Sequence, residues 1–249
     1  MKGIYFYMFL ERQNPKPLYA QLEDILREKI ESEDWKPNNA IPSENEFSKM
    51  YGVSRMTARA VMTQLVREGL LYRVPGKGTF VSEPKITTAS LSYMGIREQL
   101  ERMGYQTTTK LIEIKKIKCT ERISRKLELP RKSEVYVIER LRYIKDQPLS
   151  IHTSYIPADY CDGLEKVDLE LEQLCVILDK EYGLKRGKVI ETLESSLASD
   201  QEAQILSVKP GYPLLDLQDT IYDSQGKPFE YTRVLFRGDK IKISFQYDT

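Results

Sequence analysis

The sequence predicts an α+β protein of two domains. A small helical domain closed by a short β-hairpin covers residues 11–82, and a mixed, largely antiparallel sheet domain covers residues 92–249. Three observations predict this. The 249 residues are long for one domain and comfortable for two. Apolar residues recur at helical spacing through the first third, whereas strand-like and helical stretches alternate beyond it. Between the two, the polar, small-residue run E-P-K-I-T-T-A-S-L marks residues 83–91 as a linker.

Composition narrows the function classes. A hydrophobic fraction of 41% suffices for buried cores and excludes wholesale disorder. Cys119, Cys161 and Cys175 lie far apart, which argues against a disulfide scaffold or a cysteine zinc site. His152 is the single histidine, so most metal and general-base constellations are missing; neither a metal nor a cofactor is expected. P-loop, dinucleotide and EF-hand spacings are absent too. No run of about 18 apolar residues occurs, so no membrane helix is expected. The apolar run I-Y-F-Y-M-F-L at 4–10 is short and lacks a basic leader and a cleavage site. Met8 within it is the expected true start. The chain reads as soluble, reduced and cytoplasmic.

The first domain can be built element by element. Leu18, Leu22, Ile25, Leu26 and Ile30 form one stripe of an amphipathic helix entered past Pro15 and Pro17. Ser43-Glu44-Asn45-Glu46 is a capping box opening a short helix that Gly52 ends. Ser54 caps a further helix closed by Gly69, with Ala58, Val61, Met62 and Leu65 on its buried side and Arg55, Thr57 and Arg59 too polar for it. Two helices joined by a tight glycine turn make a helix-turn-helix, whose second helix can enter a major groove N-terminus first. Residues 71–74 and 79–81 then bracket Pro75-Gly76-Lys77-Gly78, a hairpin with a basic tip: a wing. From Lys49 to Val81 six basic residues face Glu68 alone, a local balance of +5 in a chain whose net charge is only +1. Such a patch on this scaffold points to double-stranded DNA rather than to an ordinary solvated helix face.

The run P-L-Y-A-Q-L…I-P-S-E-N-E-F-S…Y-G-V-S-R-M-T-A-R-A…L-V-R-E-G-L-L-Y-R-V-P-G-K-G-T-F-V resembles the DNA-binding domain of GntR-family bacterial transcription regulators over residues 15–82. The resemblance implies base-edge and phosphate contacts from Arg55, Thr57 and Arg59, with Ser43 and Ser54 at the helix starts beside them. It implies a minor-groove approach by Gly76, Lys77 and Gly78. Asn45 stands where the family usually has arginine, so an arginine contact is lost or replaced there. An arginine fork on guanine discriminates by about 1–3 kcal/mol, whereas a wing lysine adds mainly salt-dependent phosphate affinity.

For the second domain the pattern predicts helices near 93–103, 121–127, 171–182 and 200–206. It predicts strands near 108–118, 135–143, 148–156, 188–195, 214–222, 229–236 and 241–246. Period two places Tyr136, Ile138, Arg140 and Arg142 on one strand face. Two guanidiniums there could clamp a phosphate or carboxylate, although a salt-bridged sheet face is the commoner arrangement.

The stretches I-E-R-L-R, P-L-S-I-H-T-S-Y-I-P, E-A-Q-I-L-S-V-K-P-G-Y-P-L-L and G-K-P-F-E-Y-T-R-V-L-F-R-G-D resemble the UTRA effector domain of the HutC subfamily, which shares its fold with chorismate lyase. This resemblance implies a small-molecule effector bound by Arg140 and Arg142, with Glu230 accepting sugar hydroxyls and Phe236 walling the pocket. His152 replaces a frequent glutamate: an anion contact or a packed sheet residue. Leu174-Cys175-Val176 replaces a hydroxyl-bearing segment of the phosphosugar sensors, which leaves the effector as an anionic or polar metabolite, phosphorylated sugars included. Ser92 and Tyr93 stand near another contact position. Cys161 and Cys175 read as packing or surface thiols.

Together these readings describe a repressor, not an enzyme, that binds an inverted-repeat operator as a homodimer and is released by its effector. Two alternatives are a lyase-like domain fused to a DNA-binding module, and a DNA-binding protein whose second domain only dimerises.

Overall fold

The computed structural model describes residues 10–88 and 96–246. The Met8 start, the Ser92 and Tyr93 contact position and the first residues of the 93–103 helix lie outside them. The chain divides into two compact units between Lys85 and Ile86.

In the first unit α1 (Leu18–Glu31) buries Leu22, Ile25 and Leu26, the stripe its spacing predicts. Pro17 precedes it, at a helix start where a missing N–H costs nothing. In α2 (Glu44–Tyr51) both halves of the capping box form, and left-handed Gly52 (φ 63°) ends the helix. The Ser54 hydroxyl caps α3 (Arg55–Arg67) by accepting from Thr57 N–H at 3.0 Å. Strands β1 (Leu71–Val74) and β2 (Gly78–Val81) pair antiparallel as the wing. Leu22, Leu26, Phe47, Ala58, Met62, Leu65, Leu71 and Val81 form one core, which fixes α3 with its polar side outward.

In the second unit β4 (Thr107–Lys118), β5 (Glu134–Ile144), β6 (Gln147–Pro157), β7 (Lys188–Leu197), β8 (Pro213–Tyr222) and β9 (Pro228–Arg237) form an antiparallel sheet of order β4-β5-β6-β9-β8-β7. Lys145 and Asp146 at the β5–β6 turn both have positive φ, the two-residue geometry whose twist suits a hairpin. Short helices α4 (Ile96–Arg102), α5 (Glu121–Lys126), α6 (Leu174–Tyr182) and α7 (Asp200–Leu206) connect the strands.

Three expectations are corrected. The 83–91 stretch is not linker throughout, because Ile86–Thr88 is a strand (β3) of the second unit. It pairs in parallel with β10 (Ile241–Ile243), burying Ile86. That strand β10 is shorter than the predicted 241–246 and lies outside the main sheet. Helix α6 starts at Leu174 rather than 171, because the Asp168 carboxylate accepts the N–H groups of Glu170 and Leu171 and holds them in a turn.

Helices α5 and α7 pack on one face of the sheet. On the other face one apolar cluster joins α6 to Tyr136, Ile138, Ile221 and Phe229. A second joins β3 and β10 to Leu149, Leu217, Val234 and Phe236. Strand register aligns Ile138, Ser154, Thr232, Asp219 and Glu191 across the sheet, and Arg140, His152, Val234 and Leu217 beside them. Polar side chains thus run between two apolar clusters.

Candidate functional sites

The first candidate site is the outer face of the small unit. Ser54, Arg55 and Arg59 are exposed at the start of α3, and Asn45 is exposed in the first turn of α2. Thr57 is half-buried, and its hydroxyl lies 2.8 Å from that of Ser54. The Ser43 hydroxyl donates to Glu46 Oε2 at 2.7 Å, so it is committed to holding α2. These bonds also hold the Glu46 carboxyl below its usual range. At the wing tip Gly76, Lys77 and Gly78 are exposed. Gly76 (φ 74°) and Gly78 (φ 123°) have nothing within 4 Å of a would-be Cβ, so the turn's left-handed backbone, not crowding, requires glycine.

Arg73 behaves differently from its neighbours in the basic patch. Its Nη2 donates to Glu44 Oε1 at 3.0 Å and to Thr63 Oγ1 at 3.1 Å, which pins the wing to α2 and α3. Stacking of Tyr72 on Phe80 at 5.5 Å stiffens the same hairpin. Arg55, Arg59 and Lys77 make no side-chain bond among the described residues and stay available to an anionic partner.

The second candidate site is a small open-mouthed cavity in the sheet domain, between the two apolar clusters. Arg140, Arg142, His152, Glu230 and Phe236, all expected from the sequence, line it together. The sequence reading missed Asp219, Thr232 and Arg186 on its wall. It also read Cys175 as a packing or surface thiol, whereas the start of α6, with Gln173 and Cys175, lines the cavity. Asp219 was legible: period two along β8 puts Leu215, Leu217, Asp219 and Ile221 on one face, a carboxylate within an apolar row. Nothing local marks Arg186, which lies in an irregular stretch before β7.

The electrostatics are unusual for a domain interior. Arg140 and Arg142 are only 7% and 5% exposed, and neither Nε has a hydrogen-bond partner. Arg140 Nη2 donates to Ser154 Oγ at 3.2 Å. Burial lowers the pKa of both; for Arg142, with Arg140 and Arg97 nearby, it comes down to about 9. Burial, with Arg142 and Arg140 beside it, pushes His152 well below the usual imidazole range, so the ring is neutral. Its Nε2 lies 2.9 Å from Ser150 Oγ, and the edge of Phe236 packs against the ring. Asp219 Oδ1 and Glu230 Oε2 are buried without partners. Burial, reinforced by Glu191 and Glu230, raises the Asp219 carboxyl to about 7. Buried polar atoms without partners are costly, so this wall is built for something that supplies them.

A winged helix with an exposed basic face, followed by a domain with a charge-lined cavity, defines a DNA-binding regulator with a second, cavity-bearing domain. The comparisons specify which. Residues 18–81 match the gntR family of bacterial regulatory proteins, and residues 102–242 match the UTRA domain. The repressor NagR of Bacillus subtilis is 32% identical over 94% of this chain and 96% of its own length. The mannosyl-D-glycerate transport/metabolism system repressor MngR of Escherichia coli is 25% identical over 92% and 95%. PhnF of Mycobacterium smegmatis shares the fold, with a TM-score of 0.62 at 22% identity over 91% of this chain and 99% of that one. The chain belongs to the GntR family, in its HutC type with a UTRA domain, and is a transcriptional repressor of that type. Among the described residues no helix is long and apolar enough to cross a membrane.

Proposed function

We propose that the protein is a homodimeric cytoplasmic repressor. It binds an inverted-repeat operator through two winged helices and is released by a small anionic or polar metabolite held in the cavity. The observation that carries the effector reading is the pair of buried guanidiniums, Arg140 and Arg142, whose Nε atoms lack partners on the cavity wall. A phosphate or carboxylate fits that fork in charge and shape. His152, Glu230 and Phe236 complete the contacts, and phosphorylated sugars belong to the class that fits.

On the DNA side Arg55, Thr57 and Arg59 address base edges and phosphates. Ser43 and Ser54 hold the helix starts, and Gly76, Lys77 and Gly78 bring the wing to the backbone. Asn45 supplies an amide where an arginine would otherwise read guanine; asparagine suits adenine. Two-fold protein symmetry implies a symmetric operator. The effector acts by its differential affinity for the DNA-competent and released states, and DNA weakens effector binding by the same factor.

The test is a screen of phosphorylated sugars and other small anions for release of labelled operator by the native protein and by Arg142→Leu. Release that occurs with the native protein and is lost in the variant, with operator affinity unchanged, is the expected outcome. Equal release from both proteins places the anion elsewhere.

A further inference from the structure

The cavity has two poles, and the second carries information about the ligand beyond its anionic group. Sheet order separates them: Arg140 and Arg142 stand on β5, and Asp219 stands three strands away on β8. At about 4.8 Å per strand the backbones are about 14 Å apart, a gap the long arginines partly close. Glu230 on β9 pairs with Ile221, two positions along the ladder from Asp219, and Glu191 on β7 pairs directly with Asp219. Asp219 (5% exposed) and Glu230 (3% exposed) each keep one buried carboxylate oxygen without a partner.

We propose that the cavity takes a zwitterion, with its anionic group at Arg140 and Arg142 and an ammonium group between Asp219 and Glu230. This inference rests on the cavity being the effector site and names the chemistry of the effector's other end.

The donor arithmetic favours an amine over a hydroxyl. A hydroxyl brings one donor and no charge, whereas an ammonium brings three donors and no acceptor. Two adjacent buried carboxylates repel when both are ionised, and a cation relieves that repulsion as well as supplying the bonds. Arg186 also lines the cavity and already offsets part of the negative charge. Glu230 also lies in the field of Arg140 and is shared between the two poles, whereas Glu191 pairs with Asp219 in the ladder but is exposed and lies off the cavity wall. The other groups on the wall do not compete for an ammonium: His152 is neutral, burial keeps the Cys175 thiol protonated, and Arg140 and Arg142 repel it. A simple anion would leave Asp219 Oδ1 and Glu230 Oε2 unsatisfied, and a simple amine would leave the arginines so.

The experiment is titration calorimetry of the full-length protein with ω-aminoalkyl phosphates of graded chain length. Each is compared with its ω-hydroxyalkyl twin, and flexible chains let each end find its own pole. At least one amine is expected to bind about tenfold or more tighter than its twin, the scale of a charge-assisted contact. The Asp219→Asn/Glu230→Gln double variant should abolish that preference, read as the ratio of amine to hydroxyl-twin affinity within the same protein; circular dichroism checks that it folds. Equal binding of every twin pair, or a preference that survives in the double variant, overturns the amine assignment. If those equal affinities still collapse in Arg142→Leu, the anion-effector reading stands without the amine. Binding indifferent to Arg142→Leu, or absent for every probe and for inorganic phosphate, overturns both.

Discussion

Replacing Asp219 by asparagine isolates the cost of burying a carboxylate in the cavity wall. In the folded protein this carboxyl titrates near 7, whereas an ordinary aspartate titrates near 3.8. Between those values the native state holds a proton that the unfolded chain has released, so stability falls as pH rises across the window. About three pKa units at 1.36 kcal/mol each set a ceiling of about 4 kcal/mol, fully lost above pH 7. Asparagine is nearly isosteric and carries no charge. Asp219→Asn should therefore be close to neutral at pH 4.5 and stabilising by pH 8, by an amount between about 1 kcal/mol and that ceiling. Glu191, Glu230 and Arg186 act on the same carboxyl and are left in place by the substitution. Thermal denaturation followed by far-UV circular dichroism, at matched ionic strength from pH 4.5 to 8, reads the difference. A variant whose stability offset is constant across that range, or whose advantage grows toward acid, would refute the reasoning.

Other perturbations separate the remaining roles. Arg55→Ala should collapse the preference for operator over scrambled DNA, whereas Lys77→Ala should weaken both and lessen the salt dependence; equal loss of selectivity in both variants, measured by anisotropy, contradicts that division. Leu65→Ala empties a fully buried position in the core that orients α3 and should cost about 2–5 kcal/mol by urea denaturation, a loss under 1 kcal/mol being inconsistent with that packing. Arg73→Ala should lower operator affinity by freeing the wing while costing at most about 1 kcal/mol of stability, since its partner Glu44 is partly exposed. Wild-type DNA affinity in this variant would remove the pinning role.

The legible parts of the fold are those determined locally. Ser43, Ser54 and Ser199 each cap a helix from within four residues, and Gly52 and Gly183 end helices by their own backbone geometry, so those boundaries were readable. Strand β3 was not, because Ile86–Thr88 becomes a strand only through Ile241–Ile243 at the far end of the chain. The cavity shows the same division. Period two placed Arg140 and Arg142 on one face, and the UTRA resemblance added His152, Glu230 and Phe236. Period two also marks Asp219 as a carboxylate within an apolar row, but setting it across the sheet from the arginines needed the β9–β8 pairing and the docking of α6, which no local pattern encodes. Arg73 is the converse case. Composition counts it with the DNA-facing cations, but tertiary contacts with Glu44 and Thr63 use it internally.

The central claim is sequence-specific DNA binding by the winged helix, and its most direct measurement is an anisotropy titration at physiological salt. Labelled DNA from upstream of the gene encoding this chain would be compared with a scrambled duplex of equal length and composition. The account predicts a preference of about 10³-fold or more, carried by an inverted repeat and lost in Arg55→Ala. Equal affinity for the two duplexes, with the same salt dependence and no effect of Arg55→Ala on either, would contradict it.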